Sequence, residues 1–138
     1  YDVPTPGGSC IAVVVTDAPL GPAQLARVAR RCGLGLARSG SVAHHGSGEI
    51  FLALSTGARR PRGEPLPQTL PDGALDELFS ATVEATEEAV LNAQWAAPDV
   101  TGRLGRTARG VPHDDVLELL DRAGRLERPG TGATAGPT

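Results

Sequence analysis

A serine stands where a flexible segment of the chain gives way to an apolar run. The segment YDVPTPGG, residues 1–8, is rich in proline and glycine, and the run CIAVVVT, residues 10–16, begins directly after Ser9. Cleavage of the peptide bond between Gly8 and Ser9 would give Ser9 a free α-amine. Such an amine has an unperturbed pKa of about 7.7–8.0, so near neutral pH an uncharged fraction accepts protons. A hydroxyl needs a base to become a nucleophile, and one residue would then supply both.

Cys10 is a second candidate nucleophile at the same boundary. A cysteine is the better intrinsic nucleophile, and cleavage between Ser9 and Cys10 would give Cys10 this role. Cys10 also begins the apolar run, where a buried cysteine usually behaves as a small hydrophobic residue. A Gly-Gly-Ser sequence ahead of a strand is, moreover, ordinary linker composition. The residues alone therefore leave three interpretations open: a serine nucleophile, a cysteine nucleophile and a linker.

Ser47 and Glu49 form a second pair of residues that could do chemistry, at the start of the run EIFLALST, residues 49–56. Side chains alternate along a strand, so a strand that extends back over Ser47 directs both side chains to one face. If this strand neighbours the first one, the pair lies towards Ser9, where Glu49 would orient Ser47 or hold a substrate's ammonium group. The alternative is that Ser47 caps a turn and Glu49 is a solvated charge at a strand edge.

The pattern of apolar residues predicts the elements that must position these side chains. Strands are expected at residues 10–16 and 49–56, and helices at residues 22–38, 72–97 and 112–124. Loops are expected at residues 39–48, 57–71 and 101–110. Cys32 falls on the apolar face of the first helix, and Trp95 is expected to fill a core or an interface. Two strands do not form a stable layered domain alone, so we expect a partner segment to complete the sheet.

Composition excludes several classes of protein. The chain has 138 residues, a net charge of −3 and no basic stripe, which argues against a nucleic-acid partner. No apolar run approaches the ~18 residues of a membrane span. Two cysteines do not make a disulfide scaffold, and a reducing, cytoplasmic location is expected. The three histidines, His44, His45 and His113, lack the spacing of a metal site and are expected in loops and caps.

Four segments together closely resemble a known family. They read GSCIAVVVTDAPL, ARVARRCGLGLARSG, SGEIFLALSTG and ATEEAVLNA, and the likeness runs from about Gly8 to about Leu120. They resemble the self-processing serine aminopeptidases, which include L-aminopeptidase/D-amino-acid esterases and β-peptidyl aminopeptidases. Members of that family are cut from one precursor into a longer N-terminal chain and a shorter C-terminal chain. The cleaved heterodimers assemble as oligomers.

The resemblance implies a fold, a set of site residues and a division of the chain. The fold is α/β, a four-layer αββα sandwich of N-terminal-nucleophile type, completed by an upstream segment. Ser9 is implied as the nucleophile, Ser47 and Glu49 as supporting active-site residues, and Asn92 as a structural residue. Residues 1–8 would end the N-terminal chain before the cut, residues 9–128 would be the nucleophile-bearing part, and residues 129–138, without apolar anchors, are expected to be disordered.

Two departures from the family pattern stand out. Cys10 replaces the aliphatic residue expected after the nucleophile, a change that packing tolerates. The upstream part, which in the family provides oxyanion-hole donors and much of the substrate pocket, is not in this sequence. Loss of one such donor typically costs about 10²–10³ in turnover.

The first functional hypothesis is therefore a hydrolase that cuts itself between Gly8 and Ser9. It would then remove N-terminal amino acids from short peptides, amides or esters, without metal or organic cofactor. Its partners would be the upstream chain of the same precursor and a small substrate. Two alternatives stay open: an acyltransferase of related architecture, which Ser9 disfavours because those enzymes use threonine, and an inactive relative that serves as a scaffold or binding subunit.

Overall fold

Two parallel strands joined by a helix form the part of the structure that carries the candidate residues. The structure is a computed structural model, and it describes residues 8–57, 59–65 and 67–126. Strand β1 spans Ser9–Thr16, helix α1 spans Pro22–Arg38 and strand β2 spans Gly48–Ser55. The strands pair in parallel, with Ser9 opposite Gly48 and Thr16 opposite Ser55. Parallel pairing requires a long crossover connection, which α1 supplies.

The two faces of this sheet differ in exposure. Side chains alternate along both strands between partly buried and exposed. Val14 and Ala53 pack from the partly buried face against the core. The opposite face presents six apolar side chains that are roughly half to two-thirds exposed among the described residues: Ile11, Val13, Val15, Ile50, Leu52 and Leu54. One face of the sheet is thus covered by the helices, and the other is left apolar and open.

The core lies between the sheet and two helices. Helix α1 buries the stripe that its sequence predicts, including Val28, Cys32 and Leu36. Helix α2 spans Leu75–Ala96, after a short 3₁₀ turn at Asp72–Ala74. Leu20, Val28, Leu75 and Phe79 form the buried cluster. The Arg31 guanidinium lies over the Phe79 ring at 3.7 Å from its centroid and closes this cluster with a cation–π contact.

A polar network joins the start of α1 to the segment before α2. The Gln24 amide donates to the Leu70 carbonyl at 2.8 Å and to an Asp72 carboxylate oxygen at 3.1 Å. Arg27 pairs with the same carboxylate at 3.0 Å. The hydrogen bond from Gln24 and the charge of Arg27 lower the pKa of Asp72 below its usual value of 3.8. Because Asp72 is exposed, these interactions add little to the free energy of unfolding. They hold the segment before α2 against the start of α1.

The buried face of α2 differs in part from the one that the sequence predicts. The apolar pattern predicts a face that runs from Leu75 and Phe79 to Val90 and Leu91; Leu75 and Phe79 are buried, but Leu91 is 53% exposed. The other buried positions are Thr82 and Thr86, whose hydroxyls donate to the carbonyls one turn earlier, at 2.6 and 2.7 Å. These internal hydrogen bonds satisfy the hydroxyls, so a threonine can replace an aliphatic residue where two helices approach closely.

The chain divides into two compact units, and the second begins at Ala93. It contains a hairpin of two short antiparallel strands, β3 at Val100–Thr101 and β4 at Thr107–Ala108, followed by helix α3 at His113–Arg122. The predicted loop at residues 101–110 therefore contains the last residue of β3 and all of β4. Trp95, expected in a core or interface, is 41% exposed and stacks on His113 with ring centroids 4.1 Å apart.

Some predictions fall outside the described residues. The disordered tail predicted at residues 129–138 and all but Gly8 of the predicted segment 1–8 are among them. Within the described ranges, no helix combines the length and apolarity needed to cross a membrane.

Candidate active site

Ser9 is the first residue of β1, and its hydroxyl lies on the open face of the sheet. It stands opposite Gly48 in the parallel register. A Cβ built on Gly48 would lie 3.3 Å from the Ser9 hydroxyl oxygen, so the missing side chain of Gly48 leaves the space beside this hydroxyl free. Ser9 is exposed, whereas the neighbouring Cys10 is partly buried.

Ser47 and Glu49 are hydrogen-bonded to each other, as expected if they share a face. The Ser47 hydroxyl lies 2.7 Å from a Glu49 carboxylate oxygen. Glu49 stands opposite Cys10 in the register, so its side chain leaves the helix-facing side of the sheet. The Ser9 side chain leaves the other side, one position earlier. Ser9 and the Ser47–Glu49 pair therefore do not share one face of the sheet. They meet at the end of the sheet where both strands begin.

A cavity at this end of the sheet brings the three predicted residues together. Its volume is about 270 Å³, and Gly8, Ser9, Ser47 and Glu49 all line it. The remaining lining residues are Cys10, Leu36, Gly40, Ser41, Val42 and His44. The Ser9 hydroxyl, the Ser47–Glu49 pair and Gly8 thus border one space.

The turn before β2 sets the position of Ser47. The backbone N–H of Ser47 donates to the His44 carbonyl at 2.8 Å, and the Ser47 hydroxyl lies 2.9 Å from the same oxygen. Ala43, just before this turn, has a φ of 48°, in the left-handed region that few non-glycine residues adopt. The N–H of Ala43 donates to the Ser41 hydroxyl at 3.3 Å, which supports this conformation.

Part of the cavity wall was not predicted from the sequence. Leu36, Val42 and His44 line the cavity, whereas the sequence indicates only an apolar helix position for Leu36 and a loop or cap position for His44. No periodic pattern marks Val42, because it lies in a loop. The single available signal was an apolar residue inside an otherwise small and polar segment, SGSVAHHGSG.

The structure also shows where the remaining histidines and cysteines lie. Among the residues that the structure describes, no group of three or more His, Cys, Asp or Glu side chains is arranged to hold a metal ion. His113 is the first residue of α3 and contacts the Trp95 carbonyl through a ring nitrogen at 2.7 Å. Cys32, at the centre of α1, is completely buried.

Comparison with known proteins gives consistent matches. The family model described as Peptidase family S58 matches residues 3–108. The chain is 40% identical over 123 residues to the beta-peptidyl aminopeptidase BapA of Sphingosinicella microcystinivorans, covering 86% of this chain and 31% of that protein. Its counterpart from Sphingosinicella xenopeptidilytica is 41% identical over 122 residues, with 85% of this chain and 30% of that protein covered. The chain thus spans about a third of the length of these curated relatives.

A solved structure shares the fold. The L-aminopeptidase D-Ala-esterase/amidase of Ochrobactrum anthropi, described as a prototype for the serine aminopeptidases, superposes with a TM-score of 0.75 at 37% identity. The match covers 85% of this chain and 34% of that one. That protein is described as a new variant of the Ntn-hydrolase fold, so the α/β arrangement seen here corresponds to part of such a fold.

Proposed function

The chain belongs to peptidase family S58, and we propose that it carries the nucleophile of a self-cleaving hydrolase that removes N-terminal residues from short peptides, amides or esters. The observation that carries this proposal is the shared cavity, in which Ser9, its preceding Gly8 and the Ser47–Glu49 pair meet. The names of the relatives support it, since they are aminopeptidases, one of them also an esterase and amidase.

The first reaction is cleavage of the chain itself. The Ser9 hydroxyl oxygen attacks the carbonyl carbon of Gly8, and the bond from that carbon to the Ser9 nitrogen breaks. The Gly8 acyl group is then held as an ester on the Ser9 oxygen, and the hydroxyl proton moves to the departing nitrogen. Water hydrolyses the ester, which releases Gly8 as a carboxylate and leaves Ser9 with a free α-amine and a free hydroxyl.

The second reaction repeats this chemistry on a substrate. The free α-amine of Ser9 takes the proton of its own hydroxyl while the oxygen attacks the carbonyl of the substrate's N-terminal residue. The proton then passes to the leaving amine or alcohol, and an ester to Ser9 remains. Water, activated by the same α-amine, hydrolyses that ester and releases the N-terminal amino acid. An amine with a pKa of about 7.7–8.0 suits both proton transfers near neutral pH.

The Ser47–Glu49 pair supports both reactions. Its carboxylate is the one carboxylate among the described residues that line the cavity, so it attracts either the Ser9 α-ammonium that forms during attack or the ammonium group of the substrate. Ser47, fixed between Glu49 and the His44 carbonyl, holds this carboxylate in place. Oxyanion-hole donors are proposed to come from the rest of the protein.

The open face of the sheet is proposed to receive the partner segment. Six apolar side chains, including Ile11, Val13 and Leu52, are exposed there. A second sheet from the upstream part of the same precursor, with helices behind it, would cover them and give a four-layer αββα sandwich. Cleaved chains would stay associated through this apolar interface, and the resulting heterodimers would assemble into oligomers.

Ser9→Ala in the complete polypeptide tests the proposal, with Cys10→Ala as the matched control. We expect Ser9→Ala to stay uncleaved by intact mass and to lose hydrolysis of amino-acid p-nitroanilides. Cys10→Ala is expected to yield a chain that begins at Ser9 and to keep its turnover. Cleavage and turnover by Ser9→Ala would refute the proposal, and their loss in Cys10→Ala, with a chain beginning at residue 10 in the wild type, would reassign the nucleophile.

A further inference from the structure

We infer that Val42, together with Leu36, forms the surface against which the side chain of the substrate's N-terminal residue packs, so that these two residues set the specificity for that residue. This inference rests on the proposed function. It concerns a part of the cavity that contains no catalytic group, and it assigns a role to a loop residue that the chemistry of Ser9 leaves unused.

Gly8 marks where the substrate's N-terminal residue binds. In self-cleavage the Ser9 oxygen attacks the Gly8 carbonyl, and in turnover it attacks the carbonyl of the substrate's N-terminal residue. Both carbonyl carbons become bonded to the same oxygen atom. The two residues therefore occupy the same place in the site, and the surroundings of Gly8 show what the substrate residue would meet.

There is room for a side chain at this place. Among the residues that the structure describes, no atom lies within 4 Å of a Cβ built on Gly8. The cavity that Gly8 lines measures about 270 Å³, slightly less than the roughly 300–1,000 Å³ of pockets that enclose drug-sized ligands. It is therefore large enough to admit an amino-acid side chain, whose Cβ would make no contact with the described residues.

The cavity lining contains both apolar and polar side chains. Leu36 and Val42 supply apolar side chains, while Glu49 and Ser47 supply the charged and polar groups. An N-terminal residue carries an ammonium group and a side chain on the same carbon. The ammonium group is directed to Glu49, since burying it against Leu36 would cost its solvation. The side chain is left with the apolar wall.

Hydrogen bonds on both sides hold Val42 in position. Before it, the N–H of Ser41 donates to the Leu36 carbonyl at 3.2 Å, which ties the loop to the end of α1. After it, the N–H of Ala43 donates to the Ser41 hydroxyl at 3.3 Å, and Ala43 has a left-handed φ of 48°. Val42 itself is 69% exposed. Because Val42 is already held in position, substrate binding costs it little conformational entropy. Because it is exposed, it buries apolar surface when a substrate side chain covers it.

The inference predicts a size threshold. A substrate that begins with glycine or alanine has no atom beyond Cβ and does not reach the wall. A substrate that begins with norvaline or leucine does reach it. Changes at Val42 should therefore alter hydrolysis of the longer residues more than that of the glycine and alanine substrates, so the ratio between the two kinds of substrate within each variant is the readout.

The experiment uses the complete, self-cleaved protein and the p-nitroanilides of glycine, alanine, norvaline and leucine, in the stereochemical series that the wild type hydrolyses. Val42→Ala is expected to lower kcat/KM for the leucine substrate about tenfold. This is the lower end of the effect that the loss of a methylene contact has in an apolar pocket. Val42→Phe, which fills the space, should lower it further. Val100→Ala is the matched control, since Val100 is 57% exposed and does not line the cavity.

The outcomes separate this inference from the proposed function. Val42 variants that cleave themselves and hydrolyse every substrate at wild-type ratios would overturn the inference and leave the proposed function intact. A wild type that hydrolyses the glycine and alanine substrates but not the longer ones would also overturn it. Hydrolysis of all four substrates by Ser9→Ala, in contrast, would remove the proposed function itself.

Discussion

The Ser47 hydroxyl lies 2.7 Å from a Glu49 carboxylate oxygen and 2.9 Å from the His44 carbonyl oxygen. Both neighbours accept hydrogen bonds when Glu49 is ionised, and a serine hydroxyl has a single hydrogen to donate. The hydroxyl therefore serves one acceptor at a time.

Glu49→Gln separates the charge of this residue from its geometry. The glutamine amide can donate to Ser47, which then donates to the His44 carbonyl, so the turn stays intact. We expect turnover to fall about 10²-fold from loss of the charge, with little change in thermal stability. Steady-state kinetics and a melting curve measure the two effects. Ser47→Ala, which removes the hydroxyl but keeps the charge, is expected to have the smaller effect, and the reverse order would contradict the role given to Glu49.

His44 lines the same cavity as Ser9 and is a rival general base. If the α-amine of Ser9 is the base, His44→Gln should keep kcat within about threefold of the wild type, because Ser47 uses only the backbone carbonyl of residue 44. The measurement is the pH dependence of kcat/KM, whose acidic limb should be unchanged. A loss of about 10²–10⁴ in turnover would instead assign the proton transfer to the His44 ring.

Gly8 has a φ of 152°, a backbone conformation that side-chain-bearing L-residues rarely adopt. An alanine at this position has room for its methyl group, but it moves φ and with it the carbonyl that Ser9 attacks. We expect Gly8→Ala to slow self-cleavage at least about tenfold, followed by intact mass over time. Gly63→Ala is the control, since Gly63 also has a positive φ, 96°, and free space, but lies far from the cleaved bond in sequence. Equal rates for Gly8→Ala and the wild type would contradict this prediction.

Much of the fold around the site could be predicted from local sequence patterns. The apolar run after Ser9 becomes β1, the helical spacing behind Pro22 becomes α1, and the parallel pairing places Ser47 and Glu49 at the same end of the sheet as Ser9. Each of these features depends on residue periodicity or on side-chain alternation, which a single sequence displays directly.

Features that depend on contacts between distant segments could not be predicted in this way. The burial of Thr82 and Thr86 follows from the close approach of α1, which no pattern within α2 indicates. Val42 lines the cavity next to Ser41, whose N–H is bonded to the Leu36 carbonyl at the end of α1. The two short strands of the hairpin pair within a Gly/Arg-rich segment that lacks the usual composition of strands.

Gly35 allows α1 to approach α2, and Gly35→Ala tests this packing. A Cβ at Gly35 would lie 2.5 Å from the Val83 carbonyl oxygen and 2.7 Å from the Thr86 Cβ, atoms that no side-chain rotation can move away. We expect the helices to be forced apart and the free energy of unfolding to fall by about 1–3 kcal/mol. Gly33→Ala, in the same helix, meets only the Phe51 side chain at 3.4 Å and should be neutral or gain up to about 1 kcal/mol from helix propensity. Urea unfolding of both variants measures the difference in the free energy of unfolding. Equal destabilisation would contradict the prediction, because it would show that the loss does not depend on the contact between Gly35 and α2.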